Sequence, residues 1–104
     1  MTPTEINKRL ALAIGYLPEH VRVTDNGTVR VCRPFSGAPS LNWYEFDFND
    51  GRITTALIER YKIAVEPHNR TEYWRAVKYY GGAPSLSRSL REVVAWVVIR
   101  GAGR

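Results

Sequence analysis

Sulfur and imidazole are scarce in this chain: its 104 residues include one cysteine, Cys32, and two histidines, His20 and His68. A lone cysteine cannot close an internal disulfide, so packing has to hold the fold, as suits a reducing compartment. Neither histidine has a second ligand three or four residues away on a helix, which removes the usual zinc spacing. Long apolar runs are missing too. No stretch approaches the roughly 20 apolar residues of a membrane span. The N-terminus MTPTEINKRLALAIGY carries Glu5 and no run of signal-peptide hydrophobicity. The expectation is a cytoplasmic protein with no membrane partner.

Acids are outnumbered, ten Asp and Glu against fifteen Lys and Arg, for a net charge of +5. The arginines run from Arg9 to Arg104 and are interleaved with acids, a pattern that permits nucleic-acid binding without demanding it. A hydrophobic content of 44% with 12% aromatic residues supports a packed core, and the length fits one domain over residues 1–104.

Thr2-Pro3-Thr4-Glu5 has the pattern of a capping box with proline at the first helical position, so a helix is expected from residue 3. Ile6, Leu10, Ala13 and Ile14 share one helical stripe, and Gly15 is the natural stop. Val21 to Val31 alternates apolar and polar residues around Asp25-Asn26-Gly27. A two-residue Asn26-Gly27 loop would mix the faces. A three-residue loop with left-handed Gly27 pairs Val23 with Val29 and Val21 with Val31, and is preferred. It also sets Arg22 opposite Arg30, which is unfavourable without a carboxylate or anion nearby.

A loop rich in proline, glycine and serine spans Arg33 to Leu41, and Trp43 to Phe48 alternates as a short strand. Asn49 or Asp50 can cap a second helix with Ile53, Ala56, Leu57 and Tyr61 on its apolar face. Ile63 and Val65 form a strand stopped by Pro67. Tyr73 to Tyr80 form a longer one with apolar bulk on both faces, as in a sheet covered on both sides. After a break at Gly81 to Ser85, Leu86, Leu90, Val93, Val94, Val97 and Val98 fall on one helical stripe, with Ser89 to Glu92 as a second capping box. Strand propensity in the β-branched run Val93 to Ile99 competes with that pattern, and helix is preferred. The pentapeptide Gly-Ala-Pro-Ser-Leu occurs at Gly37 to Leu41 and Gly82 to Leu86, as two similar turns.

The order of elements, together with particular residues, resembles the phage ABA sandwich domain family of short bacteriophage and prophage proteins. The residues are Glu5-Ile6-Asn7 with Ala13-Ile14-Gly15, Ala56 with Leu57-Ile58, Trp74 with Ala76, and a final helix after a Ser/Pro-containing loop. The Val21 to Val31 hairpin and the valine-rich last helix depart from the family pattern. The resemblance implies a sheet between helices and a phage or prophage origin, and it brings no catalytic residues. The expected class is α+β, a three-layer α/β/α sandwich-like single domain with one small, mostly antiparallel sheet and about three helices.

The chemistry-bearing residues are few. Asp47 to Gly51 faintly resembles a calcium loop, but Ile58 stands where the bidentate glutamate is needed, and helix capping accounts for the acids. The three-residue turn sets His20 across from Cys32, yet no third group orients the histidine for cysteine catalysis. No enzymatic activity and no cofactor are expected. The candidate binding patch is Arg22, Arg30, Arg33, Trp43 and Tyr44, residue types suited to a protein interface. The leading expectation is therefore a non-enzymatic accessory module that binds a host or phage protein. A second reading is nucleic-acid or nucleotide binding through the arginine-rich hairpin. Trp96 and Ile99, large and off the buried stripe, offer a homodimer surface.

Overall fold

The computed structural model describes residues 1–32, 42–69, 72–78 and 83–102. The chain divides into two compact units, Met1–Asp47 and Phe48–Arg104. Arg33 and the first Gly-Ala-Pro-Ser-Leu copy lie outside the described residues.

In the first unit, helix α1 (Pro3–Ala13) begins where the capping pattern predicts, with the Glu5 amide donating to Thr2 Oγ1 at 3.2 Å. It stops before Gly15, which takes φ of +114°. Ile6, Leu10, Ala11 and Ile14 are buried. Each large side chain so removed from water contributes roughly 1.5–3 kcal/mol before the entropy of ordering is counted. A single 3-10 turn (Pro18–His20) leads into β1 (Val21–Val23), β2 (Val29–Val31) and β3 (Tyr44–Glu45), an antiparallel sheet in that order. Helix α1 packs on β1 and β2.

The register is the one the three-residue loop requires: Val21 opposite Val31, Arg22 opposite Arg30, Val23 opposite Val29. Thr24 extends the ladder by donating its amide to Thr28 O at 2.9 Å, and Gly27 has φ of +83°. Thr4 Oγ1 donates to Gly27 O at 2.7 Å, which ties the start of α1 to the hairpin turn. The Trp43 to Phe48 strand signature shortens to two residues. Phe46 still donates to Val29 O at 2.9 Å, but the chain turns at Phe48 and Asn49 toward the next helix.

The second unit holds α2 (Gly51–Tyr61), β4 (Ile63–Pro67), β5 (Trp74–Lys78), β6 (Ser85–Ser87) and α3 (Leu90–Ala102). Asp50 is the cap of α2, accepting from the Arg52 amide at 2.9 Å. The helix ends on Lys62 in the left-handed region, φ 53°, so β4 can start at the next residue. The strands form a second antiparallel sheet, β4-β5-β6.

The α+β class holds, with three α-helices and antiparallel strands among the described residues. The strands make two three-stranded sheets where one small sheet was expected. The extra strand arises at Ser85-Leu86-Ser87. Its register opposite Trp74, Arg75 and Ala76 captures Leu86, which the sequence pattern assigns to the last helix. Helix α3 starts instead at Leu90, where the Glu92 amide donates to Ser89 Oγ at 3.2 Å. Its Val93, Val94, Ala95, Val97 and Val98 are all buried, so tertiary packing overrides their strand propensity.

Within this unit α3 packs on β5 and β6, and α2 packs on β4 and α3. The aligned row Val65, Ala76 and Ser85 faces the helices, with Ala76 and Ser85 fully buried. The alternate row Glu66, Arg75 and Leu86 points the other way, with Leu86 49% exposed and Glu66 paired to Arg75 at 2.9 Å. Within this unit, among the described residues, the helices cover one face of the sheet, where apolar bulk on both faces of β5 suggested two. Among the described residues no helix is long and apolar enough to cross a membrane.

Candidate functional site

Side chains alternate across a strand, and residues directly opposite one another share a face. The pairing of β1, β2 and β3 therefore sorts the candidate patch. Val29 and Val31 are buried, so the face they share is the inner one. Arg22, Arg30 and Glu45 form one row on the outer face. His20 and Cys32 continue that face, joined by the Cys32 amide donating to His20 O at 3.0 Å. Trp43, two residues before Glu45, belongs to the same face, and the Arg22 guanidinium stands 4.0 Å from the centre of its ring.

Of the expected patch, Arg22, Arg30 and Trp43 thus come together. Tyr44 pairs with Val31 and so falls on the opposite face, although it is 40% exposed. Arg33 lies outside the described residues. Glu45 is the member that sequence reasoning missed. The like-charged pair Arg22 and Arg30 asks for a carboxylate close by. Glu45 supplies one in the same row, next to Arg30, and the alternation of Trp43 to Phe48 carried the signal for its face.

A shallow open groove of about 620 Å³ adjoins that row, lined by Thr24, Asp25, Asn26, Thr28, Arg30 and Glu45. Its turn is rigidly built. The Thr28 amide donates to Thr24 Oγ1 at 3.1 Å and to Asn26 Oδ1 at 3.3 Å, and the Thr24 hydroxyl donates to Asn26 Oδ1. The groove is polar and mixed in charge, with one arginine against two acids.

Trp96 and Ile99, the expected self-association pair, are each half-buried. The Trp96 indole N–H donates to Glu92 Oε1 at 3.3 Å, Ser87 Oγ donates to Glu92 Oε2 at 3.2 Å, and the Arg100 guanidinium lies 5.8 Å from the Trp96 ring centre. Contacts within the chain thus hold Trp96 between β6 and the last turn of α3. Among the described residues of this unit, the large exposed apolar side chains are Tyr73 and Leu86.

The acid cluster at Asp47 to Gly51 has a structural role at Asp50. Hydrogen bonding from the Arg52 side chain, then from the Arg52 amide, holds the Asp50 carboxyl below the usual aspartate range, against a small desolvation in the other direction. Among the described residues no group of three or more His, Cys, Asp or Glu side chains is placed to hold a metal ion. Comparison with protein-family models gives no match for this chain, and comparison with curated protein sequences gives none either.

Proposed function

We propose that this chain is a non-enzymatic binding module, a phage- or prophage-type accessory protein acting in the cytoplasm, and that the outer face of the β1-β2-β3 sheet contacts a host or phage protein. The observation that carries this reading is the Arg22–Trp43 stack at 4.0 Å, set in a row with Arg30 and Glu45. Tryptophan and arginine are the side chains most often found at the energetic centre of protein interfaces. A stacked guanidinium also keeps its N–H groups free for a partner's carboxylates or carbonyls while its carbon plane is already desolvated. The phage-type assignment rests on the resemblance in residue pattern.

Binding of nucleic acid by this same face is the second reading, favoured by the stacked arginine. It is disfavoured by position: Glu45 abuts Arg30, and Asp25 lines the adjoining groove, so a phosphate backbone laid along the row meets carboxylates as well as cations. A protein surface of mixed charge fits better. The test is affinity capture from nuclease-treated host lysate by the native chain and by Trp43→Ala and Arg30→Glu variants, each confirmed folded. Proteins retained by the native chain and lost with both variants support the reading. Retention unchanged in both variants, or loss of all partners on nuclease treatment, contradicts it.

A further inference from the structure

The one end of the second unit at which α2 and α3 both terminate carries, among the described residues, four cations against one acid, Glu59, and we infer that it is a binding surface for the phosphate backbone of single-stranded nucleic acid. Four residues make it: Arg60 in the last turn of α2, Lys62 at its cap, Lys78 at the end of β5, and Arg100 in the last turn of α3. Lys78 joins the two helix ends. Its ammonium lies 5.2 Å from the centre of the Tyr61 ring, and its side chain crosses Gly101 so closely that a Cβ there would meet Lys78 Cε at 2.9 Å. Arg60 stands 5.3 Å from the same ring centre.

The ordinary role for such cations is to answer the negative ends of helix dipoles. Each helix C-terminus carries about half an elementary charge, so two ends supply roughly one negative charge. Against the four cations, the helix ends and Glu59 leave about two positive charges. No ion pair among the described residues involves these four cations. Every Asp and Glu of the chain lies among the described residues, and none is within ion-pair distance of Arg60, Lys62, Lys78 or Arg100. Arg100 donates instead to the uncharged Ser85 Oγ at 3.2 Å.

Arg60, Lys62 and Arg100 are exposed, and Lys78 is half-buried. Guanidinium and ammonium groups set over aromatic rings are also the composition of single-strand binding surfaces, where cations follow the backbone and rings accept bases. The hairpin face has Glu45 in register with Arg30, whereas at this end the cations outnumber Glu59 four to one and none forms an ion pair among the described residues, which is why the two are assigned different ligands.

The test is fluorescence anisotropy of a short fluorescein-labelled oligothymidylate titrated with the full chain across a range of salt. Each engaged cation adds about −0.7 to the slope of log affinity against log salt. The Arg60→Gln plus Lys78→Gln variant is expected to flatten that slope by about 1.4. A charge-matched control, Lys8→Gln plus Arg9→Gln on exposed positions of α1, is expected to leave it unchanged. Since Lys78 is half-buried, Arg60→Gln plus Lys62→Gln serves as a second variant at exposed positions, with the same expected flattening. A mononucleotide at equal phosphate concentration is expected not to displace the oligonucleotide. The inference is overturned by absence of salt-dependent binding, by equal flattening in the control, by displacement with the mononucleotide, or by equal binding of labelled polyglutamate.

Discussion

The hairpin face of the first unit and the helix ends of the second both display arginine beside an aromatic ring, yet their carboxylates differ. On the hairpin face Arg22 stacks on Trp43 while Glu45 stands in register with Arg30. At the helix ends Arg60 and Lys78 share Tyr61 with no acid paired to either. Similar residue types thus give one surface where acid and base are in register and one where four cations outnumber a single acid, Glu59. What decides is the strand register in the first case and the coincidence of two helix C-termini in the second. Composition alone, at +5, says nothing of that division.

The largest effect is expected from removing what holds the helix ends together. Leu57 is 1% exposed in α2, and Leu57→Ala is expected to cost about 2–5 kcal/mol by leaving a cavity. Urea unfolding with constant m-value measures that loss, and oligonucleotide binding should fall with the folded fraction. On the other surface, Gly27→Ala attacks the turn that sets the register. The new Cβ would lie 3.0 Å from Thr4 Oγ1 at φ +83°, and a cost of roughly 1–2 kcal/mol is expected from the left-handed backbone alone. Thermal unfolding reads it directly.

A smaller effect tests the capping of α2. Asp50→Ala is expected to cost about 1 kcal/mol at neutral pH. Because the Arg52 hydrogen bonds lower the folded pKa of Asp50, its contribution is present above the ordinary aspartate pKa and is lost as pH falls through the lower folded value. Stability of the native chain and the variant should therefore converge in acid, below about pH 4. A constant gap between them down to strong acid would contradict the assignment.

Smallest in stability but sharpest for the comparison is Lys62→Gly. Lys62 occupies the left-handed region at φ 53°, where glycine carries no Cβ penalty, so stability should hold or rise by up to about 1 kcal/mol. The same change removes one of the four cations. A variant that is at least as stable and yet loses about 0.7 of the salt slope separates binding from folding.

The fold was legible where local chemistry is decisive. Thr2-Pro3-Thr4-Glu5 marks the start of α1, Asp50 the start of α2, and the spacing of Asp25-Asn26-Gly27 selects one hairpin register from two. It was less legible where pairing partners are distant in sequence. Leu86 matches a helical stripe, and only the strand Trp74–Lys78 beside it reveals β6. The two separate sheets escape for the same reason, since a pattern of alternation does not say which hairpin joins which.

The candidate site divides in the same way. Alternation predicts that Arg22 and Arg30 share a face, but the position of β3 is needed to bring Trp43 to them and to turn Tyr44 away. The cationic helix ends were not legible at all. Arg60, Lys78 and Arg100 are separated by 18 residues or more in the chain, and only the packing of α2, β5 and α3 gathers them. Trp96 shows the converse. It lies off the buried stripe and is half-buried, and its indole N–H donates to the carboxylate of Glu92 one turn earlier.

If the two surfaces serve different partners, backbone amide chemical-shift mapping during an oligothymidylate titration will separate them. The expected result is that shifts concentrate at Arg60, Tyr61, Lys62, Lys78, Arg100 and Gly101, with the amides of Arg22, Arg30 and Glu45 unmoved. Shifts concentrated at Arg22, Arg30 and Glu45 would contradict it and return nucleic-acid binding to the hairpin face.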